Sequence, residues 1–182
     1  MRHRAIRIGA ALFALALAGA APPRHLPACM RSPFEGITGT TADGTLVGEP
    51  DPRDWGCAPG SGAESGITGA AARQATPLAV PAPPPSALCL YPAYPNPSDQ
   101  ETRLQFSLPT ARHVTLAIYA PGPGPGREAT VVRTLLDSEV ASGFFIVSWN
   151  LTDDNAARVA AGIYRAVLVA GDEALCGDIE VH

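Results

Sequence analysis

From residue 88 to the C-terminus, apolar and polar residues alternate in short bursts separated by turn-forming residues. Leu104, Phe106 and Leu108 alternate with Arg103, Gln105 and Ser107; Val114, Leu116 and Ile118 share one side of the next burst, and Phe145, Val147 and Trp149 one side of another. A period of two puts each set on one face of a strand, so every strand offers one face to a common core. Seven such segments follow one another, at 88–91, 103–108, 113–119, 130–136, 144–149, 163–169 and 175–181, and none carries a helical period. The pattern predicts an all-β domain of two packed sheets over 88–182.

Upstream the texture changes. Residues 1–20 carry Arg2, Arg4 and Arg7, an apolar run over 8–17 and small residues at 18–20, which is the anatomy of a signal peptide. That run is shorter than the ~20 residues that cross a bilayer, and no later stretch approaches it, so no transmembrane helix is predicted. Residues 21–57 contain GITGTTADGTLVG, in which Asp43-Gly44 between threonine-rich and β-branched flanks predicts a hairpin. So small a segment cannot bury a core alone; a Cys29–Cys57 bridge or docking onto the next domain has to hold it. Residues 58–87, rich in Gly, Ser and Ala and then in Pro, predict a disordered linker. The seven strands that follow predict an immunoglobulin-like β-sandwich.

Charge and cysteine content narrow the setting. The net charge is −4, and removal of residues 1–20 would delete three arginines and no acid, leaving −7. That balance disfavours nucleic acid or an anionic membrane as a partner. Four cysteines, Cys29, Cys57, Cys89 and Cys176, form an even set in an exported chain, so disulfides are expected, with three connectivities open. A lipoprotein-type signal ending at Cys29 competes with this, but Pro22, Pro23, Arg24 and His25 separate it from the apolar run, and lipidation would leave an odd cysteine. The expected location is periplasmic, cell-surface or extracellular.

Three motifs occur in order along the C-terminal half: Tyr94-Pro95-Asn96-Pro97, then Val147-Ser148-Trp149 with Asp153 and Asp154 after it, then Ala161-Gly162-Ile163-Tyr164. Together they resemble the FlgD-type immunoglobulin-like domain and the similar C-terminal sorting domains of type IX secretion cargo, over nearly all of 91–182. The resemblance implies a sandwich in which Trp149 ends a strand facing inward, Gly162 lets the chain bend before Tyr164, and Pro92, Pro95 and Pro97 mark an entry corner and a sheet edge. Where related domains favour glycine, this chain has Leu151 and Ala156, which predicts a turn that is either reshaped or strained. First and last strands lie near each other in that fold, implying the pairs Cys89–Cys176 and Cys29–Cys57. The last strand is expected to turn Leu175, Ile179 and Val181 inward and to present Cys176, Asp178 and Glu180 on a wet face.

Candidate chemistry is sparse. His25, His113 and His182 are dispersed, and no nucleophile and base stand in a recognisable constellation. Asp153 and Asp154 form a possible metal pair with Asn150 or Asn155, whereas Asp43, Asp51 and Asp54 lack the alternate-residue spacing of a calcium loop. The Pro/Gly loop at 120–128 has neither the lysine nor the following helix of a phosphate-binding loop. No catalytic residue, cofactor or small-molecule substrate is therefore expected. The sequence predicts a secreted or cell-surface, non-catalytic β-sandwich with a structural or protein-interaction role, its partner another protein or secretion machinery. The alternative is a C-terminal sorting or anchoring domain for type IX-like secretion.

Overall fold

The structure, a computed structural model, describes residues 27–34, 36–51, 54–58, 84–122 and 128–182. The expected signal peptide and most of the expected linker, residues 59–83, lie outside them. A 3-10 turn at Ala28–Arg31 is followed by β1 (Gly39–Thr40), β2 (Leu46–Val47) and β3 (Gly56–Cys57). Then come β4 (Cys89–Tyr94), β5 (Thr102–Leu108), β6 (Arg112–Ala120), β7 (Thr130–Val140), β8 (Gly143–Trp149), β9 (Gly162–Ala170) and β10 (Glu173–Val181). The seven predicted strands are β4 to β10. β7 runs past its predicted end because the polar Asp137, Ser138 and Glu139 continue the ladder with β6, to the pair Arg112 and Val140.

Two four-stranded antiparallel sheets, ordered β10-β9-β6-β7 and β3-β4-β5-β8, face each other. Their inner faces are the apolar positions of the alternation: Leu90, Leu104, Phe106, Leu108, Val114, Leu116, Ile118, Trp149, Leu168 and Ile179 are fully buried in one cluster. Burying each such side chain stabilises the fold by ~1.5–3 kcal/mol relative to exposure. Phe106 and Phe145, paired across β5 and β8, stack at 5.1 Å. Around the predicted Asp43-Gly44 turn, β1 and β2 pair as a two-stranded hairpin, with Gly44 at φ 83°.

The bridges are Cys29–Cys176 and Cys57–Cys89, correcting the expected pairs. β4 and β10 belong to different sheets, and alternation turns Cys89 and Cys176 away from the shared core on opposite sides of the sandwich. β3 instead adds to β4 with Cys57 directly opposite Cys89, their Cα atoms 4.0 Å apart, while the 3-10 turn brings Cys29 over β10, 6.1 Å from Cys176. The Cys29 sulfur is thereby committed to a disulfide, which leaves no thiol there to lipidate. Of the expected linker, Ala58 and Ala87 at its two ends are buried, and the Ala58 N–H donates to the Leu88 carbonyl (2.9 Å).

The turn after Trp149 is strained, not reshaped. Leu151 and Ala156 hold φ of 57° and 63°, the region that costs a side-chain-bearing residue ~1–2 kcal/mol. Full burial of Leu151 offsets part of that cost, and the Asp153 carboxylate accepts the Asn155 and Ala157 N–H groups (2.9 and 2.8 Å) to hold the turn.

Candidate functional site

The outer face of β9 and β10 is covered by chain from the N-terminal segment. The expected wet face of β10 is thus corrected: Cys176 and Asp178 are buried there. Met30 packs on Val167 and Cys176, with Phe34, Tyr119 and Val169 around them. β9 is buried on both faces, Tyr164, Ala166 and Leu168 inward, Arg165 and Val167 under the cap.

Arg165 organises the cap. Its Nε and Nη2 donate to the two carboxylate oxygens of Asp178 (2.6 and 2.7 Å), a bidentate pair with side chains 3% and 0% exposed. Nη1 donates to the carbonyls of Cys29 and Ser32 and to the Ser32 hydroxyl, and Nη2 also to the Pro33 carbonyl (2.8 Å). Phe34 lies against the guanidinium, 4.3 Å from ring centre to Cζ. All five N–H donors are engaged, as burial of so polar a group demands. The sequence did carry a signal: residues 166–170 are an uninterrupted apolar run, the pattern of a strand buried on both faces, and Arg165 adjoins it.

Beside this pair, the buried Asp54 carboxylate accepts the Asp178 N–H (3.2 Å). Burial, then the nearby charge of Asp178, push its pKa up to about 7. Trp55, at φ 62°, donates its backbone N–H to the Cys176 carbonyl (2.8 Å) and lays its ring over Gly177. A methyl at Gly177 would sit 2.2 Å from that ring, so only glycine fits. The buried indole N–H of Trp55 has no hydrogen-bond partner among the described residues.

The Tyr94-Pro95-Asn96-Pro97 corner lies at the other side of the cap, with both X-Pro bonds cis. Asn96 is 1% exposed; its Nδ2 donates to the Thr38 and Asp178 carbonyls (3.1 and 3.0 Å) and its Oδ1 accepts the Glu180 N–H (2.9 Å). Its backbone exchanges hydrogen bonds with Thr40 (2.8 and 3.1 Å), so one residue ties the β1–β2 hairpin to β10. The Pro95 carbonyl accepts from the Thr102 hydroxyl (2.8 Å). Pro92 falls in β4 where its register with β5 shifts, beyond the two residues that β3 covers.

The remaining sequence candidates sit elsewhere. Trp149 is fully buried, donates from Nε1 to the Thr152 carbonyl (2.9 Å), and meets Tyr164 edge-on at 5.5 Å. The Tyr164 hydroxyl donates to the Ala160 carbonyl (2.8 Å), and Gly162 bends the chain at φ 154°. Asp153 and Asp154 do not converge on a common point: the first carboxylate caps its own turn, the second accepts the Thr134 N–H (3.2 Å) of β7. His113 lies 3.4 Å from Asp137, and His182 lies between Glu180 (3.2 Å) and Asp99 (3.7 Å). Among the described residues no three His, Cys, Asp or Glu side chains are grouped to hold a metal, and no helix is long and apolar enough to cross a membrane. A cleft of about 350 Å³ beside the corner, lined by Ala42, Pro95, Ser98, Asp99, Gln100, Glu101 and Arg103, is wide open at the surface.

The architecture is therefore a β-sandwich of two antiparallel sheets whose N-terminal segment is locked over one outer face. No family model matches the chain, and none of the curated proteins does. Among solved structures, dimeric latent PorU from Porphyromonas gingivalis is similar at 18% identity and a TM-score of 0.36. That similarity covers 49% of this chain and 9% of PorU, so the chain spans a small part of that protein's length.

Proposed function

We propose that the chain is an exported, non-catalytic β-sandwich module that acts by contact with other proteins. One observation carries the reading: the buried polar side chains are spent on fastening the structure together. Arg165, Asp178 and Asn96 fasten the cap to β9 and β10, and Asp153 and Asp154 fasten turns. Two disulfides in one small chain belong to an oxidising compartment outside the cytoplasm, which fits export. A sorting role for the C-terminal strand is the competing reading, and it treats β10 as a signal more than as a structural member.

Deletion of residues 175–182 separates the two. On the module reading it removes Cys176, Asp178, Ile179 and Val181 from buried positions, so the chain loses its protease-resistant core and is degraded. Limited proteolysis with cell fractionation checks this. A truncated chain that stays folded but is trapped in the periplasm would overturn the proposal in favour of sorting.

A further inference from the structure

Two facing sheets have four edges, and three of them here carry identifiable protecting devices along part of their length. Along β10, Trp55 and Asp54 engage the backbone of Cys176 and Asp178, Asn96 brackets Asp178 and Glu180, and Ser98 pairs with Val181 in parallel. Along β7, Asp154 donates its N–H to the Val132 carbonyl (3.0 Å) and accepts the Thr134 N–H with its carboxylate. The edge of β4 is closed by β3 as far as Leu90, then by Pro92, a register shift and the Thr40 hydroxyl, which donates to the Ala93 carbonyl.

β8 is the exception. It pairs with β5 along its whole length, from Gly143 to Trp149, and among the described residues no backbone group pairs with its other side. The strand contains no charge and no proline, the devices that ordinarily discourage edge pairing. Phe144 and Ile146 project from its outer face, 51% and 55% exposed, and Phe145 and Val147 on the inner face are only partly buried.

We infer that β8 is a self-association edge, occupied by β8 of a second copy of this chain in antiparallel register about a two-fold axis at Ile146. Charge favours this occupant. The chain is net negative with 17 acidic residues, so most of its surface would bring like charges together, whereas the residues of β8 carry none, and the neighbouring Glu101, which accepts from the Ser148 hydroxyl (3.3 Å), lies at the end of the strip away from its twin. The register is self-complementary: Ile146 faces its twin and Phe144 faces Ser148 on the outer side, while Phe145 faces Val147 on the inner side. An isologous pairing of this kind closes on itself as a dimer and joins two four-stranded sheets into one of eight. A contact of one strand per copy is at the small end of stable interfaces, so association is expected to depend on concentration. This goes beyond the proposed role, since self-pairing requires no partner of another kind.

Sedimentation velocity on the full disulfide-bonded chain, from low to high micromolar concentration, tests it. The expected result is a concentration-dependent shift from one copy to two. Ile146→Lys, which sets two like charges on the axis, should weaken association at least tenfold, while Val131→Lys on β7 leaves it unchanged. Hydrogen exchange on the unmodified chain should show β8 amides slowing as concentration rises. A chain that is monomeric throughout overturns the inference, as does a dimer indifferent to Ile146→Lys, or a monomer whose β8 amides are protected only by an added strand peptide of foreign sequence.

Discussion

β10 and β8 are both outermost strands, yet they solve the edge problem in opposite ways. β10 is roofed by other chain and hides charge: Arg165 and Asp178 lie beneath residues 29–34, and Asp54 and Asn96 bind its backbone. Among the described residues nothing pairs with the outer edge of β8, which shows apolar surface, Phe144 and Ile146, to solvent. Buried charge contributes little net stability but penalises any loss of its partner, so it suits a place where one arrangement has to be unique. Exposed apolar surface has no such selectivity until a second surface arrives. The capped side is therefore held in one internal arrangement, whereas the open side has no cover among the described residues.

The largest test of this contrast is Arg165→Met, which leaves the Asp178 carboxylate without its guanidinium and removes the anchor of residues 29–33. Unfolding in urea should show a loss of ~3–5 kcal/mol, and the double variant Arg165→Met/Asp178→Leu should recover much of it. Gly177→Ala comes next, because the added methyl meets the Trp55 ring; a loss of ~1–3 kcal/mol is expected from the same measurement.

A pH-dependent effect follows from Asp54. Its pKa is raised from 3.8 to about 7 in the fold, so between those values the native state holds a proton that the unfolded chain has released. Stability from this group is fully present below pH ~3.8 and falls as pH rises toward ~7, by at most ~1.4 kcal/mol per pH unit. Asp178, Asp51 and Arg165 face the same carboxyl and modulate it. Asp54→Asn should flatten that part of the stability profile, measured by thermal melts across pH. Smallest of all, Ile146→Lys on the open edge should change the stability of the single copy by less than ~0.5 kcal/mol, in a melt at concentrations too low for association.

The strands of the sandwich were legible because each of β4, β5, β6 and β8 buries one face, and a period of two records that directly in Leu104, Phe106, Val114 and Leu116. β10 read as an ordinary edge because alternation cannot report a cover supplied from elsewhere in the chain. The disulfides depended on the same hidden fact. β3 is two residues long, too short for any period, yet it decides that Cys57 meets Cys89. The Tyr94-Pro95-Asn96-Pro97 corner could be seen as a corner, but Asn96 takes its partners Thr38, Asp178 and Glu180 from 58 to 84 residues away. Arg165 stood in plain sight within an apolar stretch, and its meaning needed residues 29–34 to be placed above it.

The two bridges also fix the covalent connectivity of the molecule. Cys57–Cys89 closes the chain between them into a ring, and Cys29–Cys176 closes a larger ring that contains it. A single cut in the peptide backbone anywhere in residues 59–83 therefore releases nothing: both pieces remain one covalent molecule until the disulfides are reduced. A protease that nicks this segment leaves a product of unchanged mass apart from one added water, and two bands appear only on a reducing gel.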